Sequence, residues 1–152
     1  MERRRFLRDF VFAGFTGVAF STGLLTPRVA FAEEFDPFQA TSVDAVLRAL
    51  GIAGAEESDQ IKITAPKIAE NGKTVPLTID SAIEGTTEII TIISSNPKPL
   101  TARNRFGKGA VPSITSRVKM GKTTEVIALV KAGDRYYAAK TEVKVAVGGC
   151  GG

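Results

Sequence analysis

From residue 61 onward the sequence repeats with a period of two, and that period restricts the folds open to this chain more than any other feature. Ile61, Ile63 and Ala65 alternate with Lys62 and Thr64 before Pro66 stops the run. Val75, Leu77 and Ile79 alternate with Pro76, Thr78 and Asp80. Ile114, Ser116, Val118 and Met120 alternate with Thr115, Arg117 and Lys119, and Val143, Val145 and Val147 alternate with Lys144 and Ala146. Side chains at i and i+2 share one face of a strand, so each run reads as a strand buried on one side. Residues 88–94 break the alternation with Ile89-Ile90-Thr91-Ile92-Ile93, a β-branched run expected of a central strand. Residues 126–130 and 136–139 add two more strands, and in the second of these Tyr136 and Tyr137 face opposite ways, one toward the core and one toward an interface. Asn71-Gly72, Asn96-Pro97-Lys98-Pro99, Gly121-Lys122 and Gly133-Asp134 supply turns. Pro76 lacks an N–H and assigns its strand to an edge or a bulge. Residues 53–59 read as a connecting turn. Residues 100–109 show no period; Arg103, Arg105 and Lys108 beside Phe106 form a small basic group that reads as a solvated loop, with a partner contact as the alternative.

One helix precedes the strands. Val43, Val46, Leu47 and Leu50 recur at i, i+3, i+4 and i+7, giving a single apolar stripe over about eight to ten residues. Thr41 with Asp44 three residues later fits a capping arrangement, and Gly51 ends the helix through a left-handed residue. A helix so short must pack on something to persist. Six to eight short strands with one leading helix favour an all-β antiparallel β-sandwich, or a small barrel, over α/β folds that need a helix between strands. The helix is expected on one sheet or across an open end.

The N-terminus has a different character. Arg3-Arg4-Arg5-Phe6-Leu7-Arg8 precedes a moderately apolar 17-residue run over residues 10–26, and Ala30-Phe31-Ala32 closes it with a small-x-small site. That order is the one of a secretory signal, and the arginine cluster resembles the twin-arginine pattern. The run is short against the roughly 20 residues of a membrane span, so no stable membrane insertion is expected. Residues 1–32 are therefore expected to be a cleaved export signal, with Glu33 as the first mature residue and the periplasm as the destination. A domain of the 120 remaining residues can bury about two-thirds of its extended surface, enough for one core. Residues 1–32 hold a net charge of +3 of the total +4. The nearly neutral remainder gives no electrostatic case for nucleic acid.

The sequence contains no histidine and one cysteine. Ser-His-Asp and Cys-His catalysis, an intrachain disulfide and a cysteine metal cluster are thereby excluded within this chain. The one cysteine, Cys150, sits between Gly148-Gly149 and Gly151-Gly152 at the C-terminus. Glycine at these four positions makes a narrow segment able to take almost any backbone angles. From Val147 to Gly152 such a segment reaches on the order of 15 Å. The chain thus divides into residues 1–32, a β-sandwich over 33–147 and a flexible Gly-rich tail over 148–152 that can thread a thiol into another protein. Without a histidine to act as base or a second cysteine the thiol is an attachment point rather than a catalyst. Lys140 and Lys144, near the tail, could steer anionic substrates or partner surfaces, although lysines on a strand ordinarily face solvent.

The ending Val143-Lys144-Val145-Ala146-Val147-Gly148-Gly149-Cys150-Gly151-Gly152 resembles that of the SoxY family of bacterial thiosulfate oxidation. Ile68-Ala69-Glu70-Asn71-Gly72, Val75-Pro76, Asn96-Pro97, Arg117-Val118-Lys119-Met120 and the twin-arginine leader match its general pattern. The resemblance implies an immunoglobulin-like sandwich, a separate SoxZ subunit in a heterodimer, and no intrinsic cofactor. It implies that Cys150 carries thiosulfonate and persulfide adducts in the periplasm. It further implies that a c-type cytochrome joins thiosulfate to Cys150, that a dimanganese sulfohydrolase releases sulfate, and that a sulfane dehydrogenase oxidises the remaining persulfide or the sulfur passes elsewhere. Three other readings of the residues stand beside this one. The chain could be an exported binding or structural sandwich whose cysteine forms an intermolecular disulfide, a thiol enzyme acting alone, or a carrier that uses its terminal Gly-Gly carboxylate.

Overall fold

A computed structural model describes residues 35–146. Within them a single-turn 3-10 helix at Pro37–Gln39 and helix α1 at Val43–Ala49 precede nine strands. The strands are β1 (Glu56–Glu57), β2 (Ile61–Thr64), β3 (Ile68–Ala69), β4 (Val75–Ser81), β5 (Thr86–Ile93), β6 (Leu100–Arg105), β7 (Ser113–Val118), β8 (Thr124–Ala132) and β9 (Arg135–Val145). One sheet has the order β1-β9-β8-β5-β6, with β3 added beside β9; the other has the order β2-β4-β7. All pairings are antiparallel except those of β1 and β3, which run parallel to β9. The expected all-β sandwich with a short leading helix is the observed fold.

The run Ile89–Ile93 lacks alternation because β5 is buried on both faces, Thr91 included. Ile89 and Ile93 join Leu77, Ile79, Val126, Val130 and Val143 between the two sheets. Ile90 and Ile92 point the other way, toward Ile127, Leu129 and Val46 under α1. The larger sheet is thus the middle of three layers. Val46 is fully buried there, and such a side chain contributes about 1.5–3 kcal/mol. Helix α1 needs that contact, having only seven residues. Its ends are well formed. Ser42, not Thr41, is the N-cap, its Oγ accepting from the Ala45 N–H at 3.2 Å. At the other end Gly51 takes φ +68, and the N–H groups of Gly51 and Ile52 reach the carbonyls of Arg48 and Leu47. These are the two bonds of a Schellman motif, with Ile52 buried as its apolar contact.

Several elements differ from expectation for identifiable reasons. Residues 53–59 hold β1, and residues 100–105 form β6, an edge strand whose half-exposed polar residues carry no alternation. The two strands expected over 136–139 and 143–147 are one 11-residue strand, β9. Strand β4 is central in its sheet despite Pro76. Strand β2 pairs only with Thr78–Ser81, so at Pro76 β4 has a neighbour on one side alone and no ladder bond is lost. Asn71-Gly72 does turn the chain, but it links β3 to β4 in different sheets instead of closing a hairpin.

Candidate carrier site at the C-terminal end of β9

Cys150 and its flanking Gly148, Gly149, Gly151 and Gly152 lie outside the described residues, as does Val147. What the structure defines is the point from which that segment departs. Strand β9 arrives there paired with β8 on one side and β3 on the other. The Lys144 N–H donates to the Lys67 carbonyl at 3.0 Å, and the Ala146 N–H donates to the Ala69 carbonyl at 2.9 Å. Between them the Val145 N–H donates to Thr123 Oγ1 at 3.1 Å on the opposite flank. Three successive residues, 144–146, are therefore held from alternate sides, as expected of a strand within a sheet.

Gly72 completes this anchorage. Its carbonyl accepts from the Met120 N–H at 2.7 Å, and a Cβ built on Gly72 would lie 2.3 Å from the Met120 carbonyl oxygen and 2.9 Å from Val145 Cγ1. Only glycine fits where the β3–β4 loop is pressed against both the β7–β8 loop and the end of β9. The loop itself is set by Asn71, whose Oδ1 accepts from the Lys73 N–H at 3.0 Å. Sequence reading marked Asn71-Gly72 as a turn but missed its role beside the carrier segment, and it missed Ala69 and Thr123 altogether. The contacts of β3 are parallel, non-local and only two residues long, so no periodic signal announces them.

The other singled-out residues fall into separate places. Lys144 is exposed beside Ile68, its register partner on β3. Lys140 is exposed on the helix-bearing face, at the rim of a cavity of about 310 Å³ whose apolar lining includes Leu47, Ile92, Ile127 and Leu129. That lining holds no cysteine or histidine; its charged members are Asp44, Glu57 and Lys140. Arg103 and Arg105 are not in a solvated loop: they stand on β6 and converge on Glu88 of β5. Arg103 Nε donates to the Glu88 carboxylate at 2.9 Å, with Arg105 Nε at 3.6 Å. Glu88 is buried, and its charge is tolerated because two guanidinium groups flank it. Phe106 packs against the inter-sheet core. Tyr136 packs toward α1 and Tyr137 toward the inter-sheet core, facing opposite ways as expected, and Lys131 and Arg135 lie near their respective rings. Among the described residues no group of three or more His, Cys, Asp or Glu side chains could hold a metal, and no helix is long and apolar enough to cross a membrane.

Curated protein sequences give no match to the chain. Among solved structures, the superoxide reductase (neelaredoxin) of Ignicoccus hospitalis is similar at 18% identity and a TM-score of 0.51, covering 68% of this chain and 92% of that one; at that identity the likeness is one of fold alone. The sulfur carrier protein SoxY of Chlorobium limicola f thiosulfatophilum is similar at 36% identity and a TM-score of 0.63, covering 68% of this chain and 94% of that one. The family model described as sulfur oxidation protein SoxY matches residues 47–150, a span that runs from within α1 to the lone cysteine. With that match and that structural relative, the chain belongs to the SoxY family of sulfur carriers.

Proposed function

We propose that this chain is a periplasmic sulfur carrier that holds thiosulfate-derived sulfur covalently on Cys150 and presents it to partner enzymes. One observation supports the reading above all: the chain's single cysteine lies four residues beyond Ala146, where β9 is hydrogen-bonded on both flanks. Four extended residues span on the order of 13 Å, so the sulfur can be offered well away from the anchored strand. The sequence holds no histidine and no second cysteine, and this reading assigns the redox and hydrolytic chemistry to the partners.

Loading forms an S–S bond between Cys150 Sγ and the sulfane sulfur of thiosulfate. The thiol loses its proton and two electrons leave to a c-type cytochrome. Hydrolysis then breaks the S–S bond to the sulfonate. A dimanganese hydrolase adds water, sulfate departs with two protons, and a persulfide anion remains on Cys150. This second step moves no electrons. The persulfide is a substrate for a sulfane dehydrogenase or for transfer to another acceptor. A SoxZ-type subunit accompanies the chain as a heterodimer. Delivery to the periplasm follows from the leader over residues 1–32, which resembles a twin-arginine signal.

Mass spectrometry tests the assignment. After exposure to thiosulfate with the partner proteins, intact carrier should gain thiosulfonate mass on Cys150, and Glu33 should be its first residue. Adducts confined to other residues, or full turnover by Cys150→Ser, would refute the carrier role. Mature protein retaining residues 1–32 would refute the export assignment.

A further inference from the structure

The part of the chain after residue 32 is nearly neutral, yet its charge is sorted by the fold. Five segments meet at the end of the sandwich from which the carrier segment departs: loops 65–67, 70–74, 94–99 and 119–123, and the strand end 144–146. They carry Lys67, Lys73, Lys98, Lys119, Lys122 and Lys144 against a single acid, Glu70. All six lysines are exposed, and none forms an ion pair among the described residues. Backbone contacts stitch the segments into one surface. The Lys67 carbonyl accepts from Lys144, and Gly72, next to Lys73, is bonded to Met120, between Lys119 and Gly121. Thr123, next to Lys122, accepts from Val145, and Asn96 Nδ2 donates to the Lys119 carbonyl at 2.8 Å. The loops at the opposite end, 58–60, 82–85, 106–112 and 133–134, carry Asp59, Glu84 and Asp134 against Lys108, and the strand ends there add the exposed Arg105 and Arg135, so acids and bases balance.

Within the basic surface stands Ile68, 61% exposed on β3, between Lys67 in sequence and Lys144 in register. An exposed large apolar side chain ringed by charges has the composition of a docking site, with an apolar anchor and a charged rim. The lysines are distributed over five separate segments, and that spacing suits an extended anionic surface better than one small anion, which needs convergent donors.

We propose that the lysine-rich end of the sandwich, centred on Ile68, is the docking face for partner enzymes, and that these present a carboxylate-rimmed apolar surface around the entrance that receives the carrier segment. The proposal rests on the carrier function given above. Clefts and rims of one sign raise association rates by roughly 10–1,000-fold, and salt screens them over about 8–10 Å. The collar brings the partner to the end from which the carrier segment departs, and the charge-balanced far end offers no matching attraction.

The test is the second-order rate constant of the carrier in reconstituted thiosulfate oxidation, measured from low to high ionic strength, with the carrier as the varied component. Lys67→Glu/Lys119→Glu/Lys122→Glu leaves the backbone contacts in place. It should lower that constant by about tenfold or more at low salt, with convergence on the parent at high salt and an unchanged rate at saturating carrier. Lys119→Glu should have a larger effect than Lys108→Glu, which makes the same charge change at the far end. Ile68→Ser should weaken docking at all salt concentrations. Alkylation of Cys150 by neutral iodoacetamide should be the same in every variant. Parent-like rates in the triple variant, an equal loss in Lys108→Glu, or a matching change in alkylation rate would overturn the docking face. Full turnover by Cys150→Ser would instead overturn the carrier function itself, so the two failures are separable.

Discussion

Gly72→Ala puts the anchorage of the carrier segment to a direct test. The added methyl would sit 2.3 Å from the Met120 carbonyl oxygen, against an ordinary C···O approach of about 3.3–3.6 Å. Relief requires the β3–β4 and β7–β8 loops to part by about 1 Å, judged against that ordinary approach. The bond from the Met120 N–H to the Gly72 carbonyl, now 2.7 Å, would then be at its limit or broken. Its loss costs about 1 kcal/mol. Displacing Val145 Cγ1, only 2.9 Å from the new methyl, adds overpacking of about 1–3 kcal/mol. Replacing glycine stiffens the unfolded chain and returns about 0.4–1 kcal/mol. The net is a destabilisation of about 1–3.5 kcal/mol, which lowers Tm by roughly 4–17 °C in a domain of this size. Gly121→Ala is the matched control: it is the next residue after Met120, yet a Cβ there meets nothing within 4 Å, and its Tm should stay within about 2 °C of the parent. Thermal and urea unfolding measure both. Amide exchange should also show faster exchange at Val145 and Ala146 in Gly72→Ala alone. A Gly72→Ala protein with the parent's Tm and the parent's exchange would refute the close approach.

Four further outcomes follow from the fold. Arg103→Ala leaves the buried Glu88 carboxylate with only Arg105 and should cost about 1–3 kcal/mol in urea unfolding, reduced from the fully buried case because the Arg103 side chain is 27% exposed. Arg105→Ala, at a side chain 77% exposed, should change stability by less than about 0.5 kcal/mol. Ile89→Ala empties a fully buried site between the sheets and should cost about 2–5 kcal/mol, with an unchanged denaturant slope. Thr123→Val removes the acceptor of the Val145 N–H; it should cost about 1 kcal/mol and accelerate exchange of that amide specifically.

Strands β2, β4, β5, β7 and β8, and helix α1, were legible because each has a period of its own or a continuous apolar run. Gly133-Asp134 was legible as the two-residue turn between β8 and β9, with Gly133 at φ +60. Elements defined only by their neighbours were not legible. Strands β1 and β3 have two residues each and exist because β9 offers a flank, and β6 is an edge strand of mixed polarity. The Lys140–Glu142 interruption makes β9 read as two pieces, although β8 pairs with it without a break from Arg135 to Val143. The same distinction applies to the site. Cys150 stands out by its residue type and its glycine setting, needing no fold to be noticed. The lysine-rich face could not be read, since its residues run from 67 to 144 and become neighbours only through four loops and a strand end. Arg103 and Arg105 looked like loop cations because Glu88, their common partner, lies on another strand.

The length of β9 has a mechanical consequence. Its nine register pairs with β8, supplemented by β1 at one end and β3 at the other, run the full height of the sheet to the residue before Ala146. A pull applied at the C-terminus along the strand axis loads those hydrogen bonds in parallel, in shear, instead of opening them one after another. Under the proposed carrier role, an enzyme that grips the sulfur and withdraws would strain many bonds at once. In that role the domain would resist tension along the strand better than a pull across the sheet, which meets the two-residue pairing with β3 at this end of the strand.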